Sequence, residues 1–213
     1  MKRSITRRGR SVTLAGIALC LAVAVFSQPA AAMATGGTDT VRSLYATLLQ
    51  TMQNGPTLGP RGRYAQIAPV VRRVFDIPFM TRLAVGPEWA GVSEAQRREV
   101  SQAFERYVTA IYAERFTSYS GEKLQVTGEQ ASVGGTLITS QIVKSNGQPV
   151  NINYLMRDNG GTWQIADVYL DGTISELATR RSEFAAILRA QGIAGLIATL
   201  NAKADTLTAA HAS

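Results

Sequence analysis

Residues Gly161 to Leu200 read GTWQIADVYLDGTISELATRRSEFAAILRAQGIAGLIATL and carry the strongest structural signal in the chain. They form an apolar strand pattern, a tight turn at Asp171-Gly172, and a helical pattern whose apolar stripe includes an arginine. On a period of 3.6 residues, one face of this helix holds Leu177, Arg181, Phe184 and Leu188. Because an isolated buried guanidinium costs several kcal/mol, Arg181 needs an anionic partner. That partner is either a carboxylate of the same fold or the headgroup of a ligand.

The strand before the turn offers such a carboxylate in Asp167. Strand alternation places Asp167 on one face with Trp163, Ile165 and Tyr169, so that it points inward. We predict a structural ion pair between Asp167 and Arg181, because buried charges are usually matched within the fold. The alternative is an anionic headgroup held by Arg181. Arg180 lies about 100° further around the helix and is predicted to be solvated or at a pocket rim.

Hydrophobic periodicity outside this stretch predicts helices on both sides of a group of strands. The predicted helices span about 38–54, 60–75, 78–85, 93–117, 175–190 and 193–204, and Ser93 with Gln96 forms a capping box for the longest. The predicted strands are 124–126, 132–143, 150–156 and 163–170, separated by glycine-containing turns that include Gly128. This order predicts an α+β domain in which several helices cover one face of an antiparallel four-stranded sheet.

The first residues have the pattern of a secretory signal peptide. A basic start with Arg7 and Arg8 precedes the apolar run Val12–Phe26, and small residues follow at Ala30–Ala32. We predict a cleaved signal peptide over 1–32 that exports the protein, and one domain over 33–213 with loose ends at 33–37 and 205–213. The formal net charge is +7, but cleavage would remove five positive charges and leave about +2. The remaining cations are scattered, so we expect no nucleic-acid partner.

The sequence contains no pattern typical of a catalytic or metal site. Its one histidine, His211, lies in the predicted loose tail, and its one cysteine, Cys20, lies in the predicted leader. Asp167 and Asp171 would lie more than about 12 Å apart along a strand, too far for a glycosidase pair. We therefore expect no enzyme activity, no metal and no cofactor. A small isomerase or hydratase with Asp167 as its acid or base, and a non-catalytic envelope interaction module, stay open as alternatives.

Several separate motifs resemble one family. They are Phe75-Asp76-Ile77-Pro78-Phe79-Met80, Gly86, Trp89, Gln96, Trp163, Asp167-Val168, Asp171-Gly172, Arg181-Ser182-Glu183-Phe184 and the Gly192–Leu200 helix. In order and spacing they resemble the MlaC (toluene-tolerance) proteins, the periplasmic lipid-binding components of an ABC-type lipid transport system. The run Gly172–Leu177 is most similar to the hopanoid-associated branch of that family. Arg180 stands where the family has a tyrosine.

The resemblance implies an apolar cavity between sheet and helices. It implies a phospholipid or hopanoid-type ligand, with an inner-membrane transporter complex and an outer-membrane protein as partners. The residues expected to line the pocket are Phe79, Leu83, Phe104, Tyr107, Ile111, Ile152, Tyr154, Trp163, Val168, Phe184 and Leu188. Arg180, Arg181 and Trp89 are expected at the headgroup or rim. In this setting the anionic alternative for Arg181 is a lipid phosphate.

Overall fold

The computed structural model describes residues 36–209. Its helices are α1 (Gly37–Val74), α2 (Ile77–Val85), a short 3₁₀ helix (Gly86–Gly91), α3 (Glu94–Arg115) and α4 (Glu176–Thr208). Its strands are β1 (Lys123–Ser132), β2 (Gly135–Val143), β3 (Pro149–Asp158), β4 (Trp163–Leu170) and β5 (Ile174–Ser175). The predicted helices, meander and helices therefore appear in the predicted order.

The strands form one antiparallel sheet in the order β1-β2-β3-β4-β5. This confirms the α+β prediction and adds a two-residue strand, β5, that pairs with the end of β4. The Asp171-Gly172 turn makes this pairing possible, with both residues at positive φ (49° and 79°). Gly128, which we expected in a turn, lies inside β1 where the register with β2 shifts. The actual β1–β2 turn is at residues 133–134.

Two helices are interrupted where the sequence indicates a break. Gly59, followed by Pro60, has a φ of 62° inside α1, and Gly192 has a φ of 64° inside α4. The predicted loose end is wrong for residues 205–208, because α4 continues to Thr208 and Asp205 forms an ion pair with Arg106 at 2.7 Å. Gly37, also placed in a loose end, is buried at the start of α1. The signal peptide and the other predicted loose residues lie outside the described residues.

The junction of α1 and α2 is held against the sheet. The backbone N–H of Asp76 donates to the carbonyl oxygen of Ile165 at 2.9 Å. The buried carboxylate of Asp76 caps α2 by accepting from Phe79 N at 3.2 Å, and it also accepts from Arg157 at 3.0 Å. These bonds fix α2 over one end of the sheet. A cavity lies between the helices and the other end of the sheet.

Candidate functional site

A cavity of about 460 Å³ lies between the sheet and the helices. Its helical wall includes Met80, Phe104, Tyr107, Ile111 and Phe116, and its sheet wall includes Ile142, Val150, Ile152, Tyr154, Val168 and Leu170. On the sheet side, Val150, Ile152 and Tyr154 alternate along β3, as the strand period predicts. Small-molecule sites typically measure 300–1,000 Å³, so the cavity has the size of a ligand site.

The exposure of the lining residues distinguishes the floor of the cavity from its mouth. Phe104, Tyr154 and Leu177 are buried and belong to the floor. The exposed lining residues are Arg115, Thr117, Ser118 and Lys144. They lie at the end of α3 and just after β2, so the cavity opens at this end of the sheet.

Hydroxyl groups of tyrosines form the polar part of the floor. Tyr154 and Tyr112 line the cavity, and the Tyr45 hydroxyl lies behind them, 2.6 Å from the Ser140 hydroxyl. Ser140 donates in turn to the carbonyl oxygen of Ile152. Burial raises the pKa of Tyr154 well above its ordinary value, and the neighbouring Tyr112 and Tyr45 raise it further. Burial likewise raises the pKa of Tyr112, so both phenols are neutral donors at physiological pH.

We expect the free energy of unfolding to fall as the pH rises above about 10. Unfolded tyrosines lose their protons near that pH, whereas the raised pKa values of Tyr112 and Tyr154 keep these phenols protonated in the folded state. Each such group should steepen the decline by up to about 1.4 kcal/mol per pH unit. Urea unfolding between pH 7 and 11 measures it. Tyr154→Phe should flatten the decline, and Tyr119→Phe, at an exposed site, should not. Equal slopes for all three proteins would contradict the assignment.

Of the two adjacent arginines of α4, Arg180 lines the cavity and Arg181 does not. The Arg180 guanidinium lies 5.5 Å from the Tyr107 ring centre and pairs with Glu176 at 3.0 Å and with Glu183 at 2.9 Å. Burial alone would lower the pKa of Arg180, but Tyr107 and the two carboxylates raise it by more, so the group stays charged. The Arg180 side chain is only 14% exposed and lies deeper than the exposed residues of the mouth, so its role at the headgroup or rim stays a prediction. The anionic partners are acidic residues of α4 itself.

The predicted ion pair between Asp167 and Arg181 is wrong. Arg181 is exposed and lies over Gly86, where an added Cβ would be 3.2 Å from its Nε. Asp167 is buried, but its carboxylate accepts from the Ser175 hydroxyl at 2.6 Å and from the Leu177 N–H at 3.1 Å. Asp167 therefore holds the start of α4, and among the ion pairs of residues 36–209 it forms none with Arg181.

A β-bulge explains why strand alternation misplaced Asp167. Met156 pairs with Ile165 and Leu155 pairs with Asp167, which leaves Ala166 as an extra residue in β4. Residues directly opposite each other share a face of the sheet, so Ile165 lies on the face of Met156 and Asp167 lies on the face of Leu155. The face of Asp167 is thus opposite to that of Ile165. Val168, opposite Tyr154, lines the cavity instead.

The expected pocket residues fall into two groups. Those on the cavity are Phe104, Tyr107, Ile111, Ile152, Tyr154 and Val168. Those elsewhere are Phe79, Leu83, Trp163, Phe184 and Leu188. The Arg157 guanidinium covers Phe79, 3.8 Å from its ring centre, and Leu83 is exposed. Phe184 packs edge-on against Phe104 in the contact between α3 and α4. Contact of the first group with a lipid stays a prediction.

Trp89, the remaining rim residue, does not line the cavity. It lies in the 3₁₀ helix, with the Arg97 guanidinium 5.3 Å from its ring centre and Arg97 Nη2 donating to its carbonyl oxygen. Sequence reasoning also missed lining residues: Met52, Phe75, Met80, Val108, Tyr112, Arg115, Phe116, Thr117, Ser118, Glu122, Ile142, Lys144, Val150, Leu170, Glu176 and Leu177. Of these residues, Val150 could have been predicted, because it lies on the same alternating face of β3 as Ile152 and Tyr154.

The cavity has the chemistry of a binding site. In residues 36–209 there is no group of three or more His, Cys, Asp or Glu side chains that could hold a metal ion. Asp167, the one acid considered for catalysis, is engaged by backbone and hydroxyl donors and does not line the cavity. The cavity offers a mainly apolar interior with neutral phenols and the Arg180–Glu176 pair in its wall, and exposed charged side chains at its mouth.

Comparison with known proteins agrees with this architecture. The family model described as "MlaC protein" matches residues 42–202, which is most of the chain. The chain belongs to the MlaC family. The matched segment includes every lining residue of the cavity, from Met52 to Arg180.

Two similar proteins carry informative names. The Haemophilus influenzae protein named intermembrane phospholipid transport system binding protein MlaC is 26% identical over 135 residues, covering 61% of this chain and 63% of that protein. The chain thus spans less than two thirds of this curated relative. The structure of a phospholipid-binding protein from Ralstonia solanacearum, in complex with a phospholipid, superposes with a TM-score of 0.67 and 20% identity. The superposition covers 81% of this chain and 99% of that one, which shows a common fold.

Proposed function

We propose that this protein is a periplasmic lipid-binding transport protein that holds the hydrocarbon part of a phospholipid in its cavity. The observation that carries the proposal is the cavity of about 460 Å³ between sheet and helices, lined mainly by apolar side chains and open at one end. Membership of the MlaC family and the names of the two similar proteins support the same ligand class. The proposed role is carriage without covalent chemistry or a cofactor.

The size of the cavity sets how much hydrocarbon it can hold. A cavity of about 150 Å³ accommodates the six carbons of benzene, so about 460 Å³ corresponds to roughly 18 carbons. Each buried methylene contributes about 0.8 kcal/mol, which gives about 13 kcal/mol for a chain of about 16 methylenes. A soluble carrier needs this burial, because an acyl chain left in water would return to a membrane.

A lipid with two acyl chains, about 30 methylenes, exceeds the volume of the empty cavity. Its uptake requires the walls to separate, and the segment after α3 is the most suitable place. Thr117 and Ser118 are exposed there, and the segment links α3 to the sheet without regular structure. We therefore propose that a diacyl lipid enters at this mouth and widens it.

Transport between the inner and outer membranes would require protein partners at both ends. Spontaneous release of the chain into water is strongly uphill by the same arithmetic, so handover needs direct contact with an acceptor. We propose an inner-membrane transporter complex of the ABC type and an outer-membrane protein as these partners. Export by the predicted signal peptide over 1–32 would deliver the protein to the compartment between them.

Native mass spectrometry of the purified mature protein tests the proposal. We expect an added mass that matches one lipid, and extraction followed by lipid mass spectrometry identifies it as a phospholipid or as a hopanoid-type lipid. A delipidated and folded protein should take up phospholipid again from vesicles. A folded protein that carries no lipid and takes up none would contradict the proposal.

The two other functional classes are less consistent with the structure. An isomerase or hydratase would need a free acid or base facing the cavity, and Asp167 does not face it. The carboxylates that do line the cavity are Glu122, which accepts from the Ser120 N–H, and Glu176, which pairs with Arg180. A purely structural interaction module would have an interior filled by side chains, whereas this interior is hollow.

A further inference from the structure

Within residues 36–209, two cations at the mouth of the cavity form no ion pair with a carboxylate. Arg115 and Lys144 both line the cavity and are exposed. Among the ion pairs of residues 36–209, neither residue takes part. The Lys144 ammonium donates to the side-chain oxygen of Gln148, at 3.4 Å. The other cation on the cavity, Arg180, is already held by two carboxylates.

One carboxylate lies at the same mouth. Glu122 lines the cavity, and its Oε2 accepts from the backbone N–H of Ser120 at 2.6 Å. The group formed by Arg115, Lys144 and Glu122 therefore carries one net positive charge. The cluster of Glu176, Arg180 and Glu183 has two carboxylates for one guanidinium and carries one net negative charge. The favourable position for an added negative charge is therefore beside Arg115 and Lys144.

We propose that Arg115 and Lys144 recognise the headgroup and make the cavity prefer lipids whose headgroup carries a net negative charge. This inference rests on the proposed function, since it needs a lipid whose chain fills the cavity. With the hydrocarbon inside, the first polar group of the ligand lies at the mouth, where these two side chains are. A phosphate there lies beside two cations, and a headgroup amine, which a zwitterionic lipid adds, cancels part of that attraction.

Selection of lipids from mixed vesicles tests the proposal. Delipidated mature protein is incubated with vesicles that contain phosphatidylglycerol, phosphatidylcholine and phosphatidylethanolamine with identical acyl chains. The reisolated protein is then extracted, and its bound lipids are quantified by mass spectrometry. We expect bound phosphatidylglycerol to be enriched severalfold over its share in the vesicles. The enrichment should shrink between 0.05 and 0.5 M salt, roughly as ionic screening of exposed charges requires.

Charge-removing variants assign the effect to particular side chains. Arg115→Gln and Lys144→Gln should each reduce the enrichment about two- to fivefold, which is the scale of exposed charge pairs. Glu122→Gln should increase it. Arg98→Gln is the matched control, because Arg98 is an exposed cation of the same helix about 25 Å from Arg115 along its axis. This variant should leave the enrichment unchanged.

The outcomes separate this inference from the proposed function. Lipid uptake without headgroup preference, or equal effects of Arg115→Gln and Arg98→Gln, overturns the headgroup assignment and leaves the lipid carrier intact. A loss of phosphatidylethanolamine uptake in Glu122→Gln, without a gain of phosphatidylglycerol, overturns it in favour of zwitterion recognition by Glu122. Failure to take up any of the three lipids overturns the proposed function and the inference with it.

Discussion

Replacing Ile152 with tryptophan is expected to abolish lipid uptake in a protein that still folds. Ile152 is a half-buried residue of β3 that faces the cavity, opposite Leu170, which also lines it. Tryptophan has six more side-chain heavy atoms than isoleucine, as many as benzene, which occupies a cavity of about 150 Å³, so the change would take about a third of the available 460 Å³. A full-length acyl chain then no longer fits.

The fold should tolerate this change because the added atoms enter empty space. Overpacking costs typically about 1–3 kcal/mol where a core is already full, but the wall at Ile152 borders a void. Lipid content by native mass spectrometry and unfolding by urea measure the two effects separately. We expect bound lipid to fall at least about tenfold while the free energy of unfolding changes by less than about 1.5 kcal/mol.

The control adds the same indole where no cavity exists. Val133 is 97% exposed in the turn between β1 and β2, so Val133→Trp should bind lipid like the unmodified protein. Full lipid uptake by Ile152→Trp would show that the ligand does not occupy this cavity. Equal losses in both variants would show a non-specific effect of the indole.

The architecture could be predicted from the sequence because it depends on periodicity. The spacing of apolar residues changes from a helical period to strand alternation, and returns to a helical period after the Asp171-Gly172 turn. The breaks at Gly59 and Gly192 were predictable for a similar reason, since a glycine beside a proline or between two apolar runs marks a helix end. Each of these signals is local.

The charged side chains were harder to place, because an error of one residue in a strand or helix assigns a side chain to a different face of that element. The extra residue Ala166 in β4 exchanges the faces of the residues after it, and no local signal in an apolar strand announces such a bulge. On α4, Arg180 and Arg181 lie on the two edges of one apolar stripe. Only the neighbours, Tyr107 on one side and Gly86 on the other, decide which arginine is buried.

The cavity itself could not be separated from an ordinary core by sequence. Phe104 and Phe184 touch each other and are equally buried, yet only Phe104 lines the cavity. Apolar side chains have the same composition and spacing whether they face a void or a neighbour. The mouth was missed because Arg115, Thr117 and Lys144 lie at the ends of regular elements, where periodicity carries no information.

Replacing Gly55 with alanine is expected to lower the stability of the fold and weaken the mouth of the cavity. An alanine Cβ at this position of α1 would lie 1.8 Å from the carbonyl oxygen of Thr117, and backbone atoms cannot yield as a flexible side chain does. Helix propensity favours alanine over glycine by about 1 kcal/mol, so propensity alone would predict the opposite sign. The collision outweighs that gain because α1 and the end of α3 must separate.

Separation at Gly55 would also break the hydrogen bond by which a buried arginine of α1 holds the end of α3. Arg63 Nε donates to the carbonyl oxygen of Ala113 in α3 at 2.8 Å, whereas the bond from its Nη1 to the carbonyl oxygen of Gly55, at 3.2 Å, lies within α1. Hydrogen bonds from a charged donor contribute about 1.5–3 kcal/mol. Overpacking adds a cost of about 1–3 kcal/mol. We therefore expect the free energy of unfolding to fall by about 2–4 kcal/mol and Tm to fall by roughly 5–15 °C.

Gly91→Ala is the matched control for this substitution. An added Cβ at Gly91 meets nothing within 4 Å, and its φ is not positive, so stability should change by less than about 0.5 kcal/mol. Thermal unfolding compares the two variants, and lipid retention is measured below both transitions. Because Thr117 lines the mouth, Gly55→Ala should lose bound lipid faster than Gly91→Ala even where both are folded. Equal stability of the two variants would show that α1 and the end of α3 are not held in contact at Gly55.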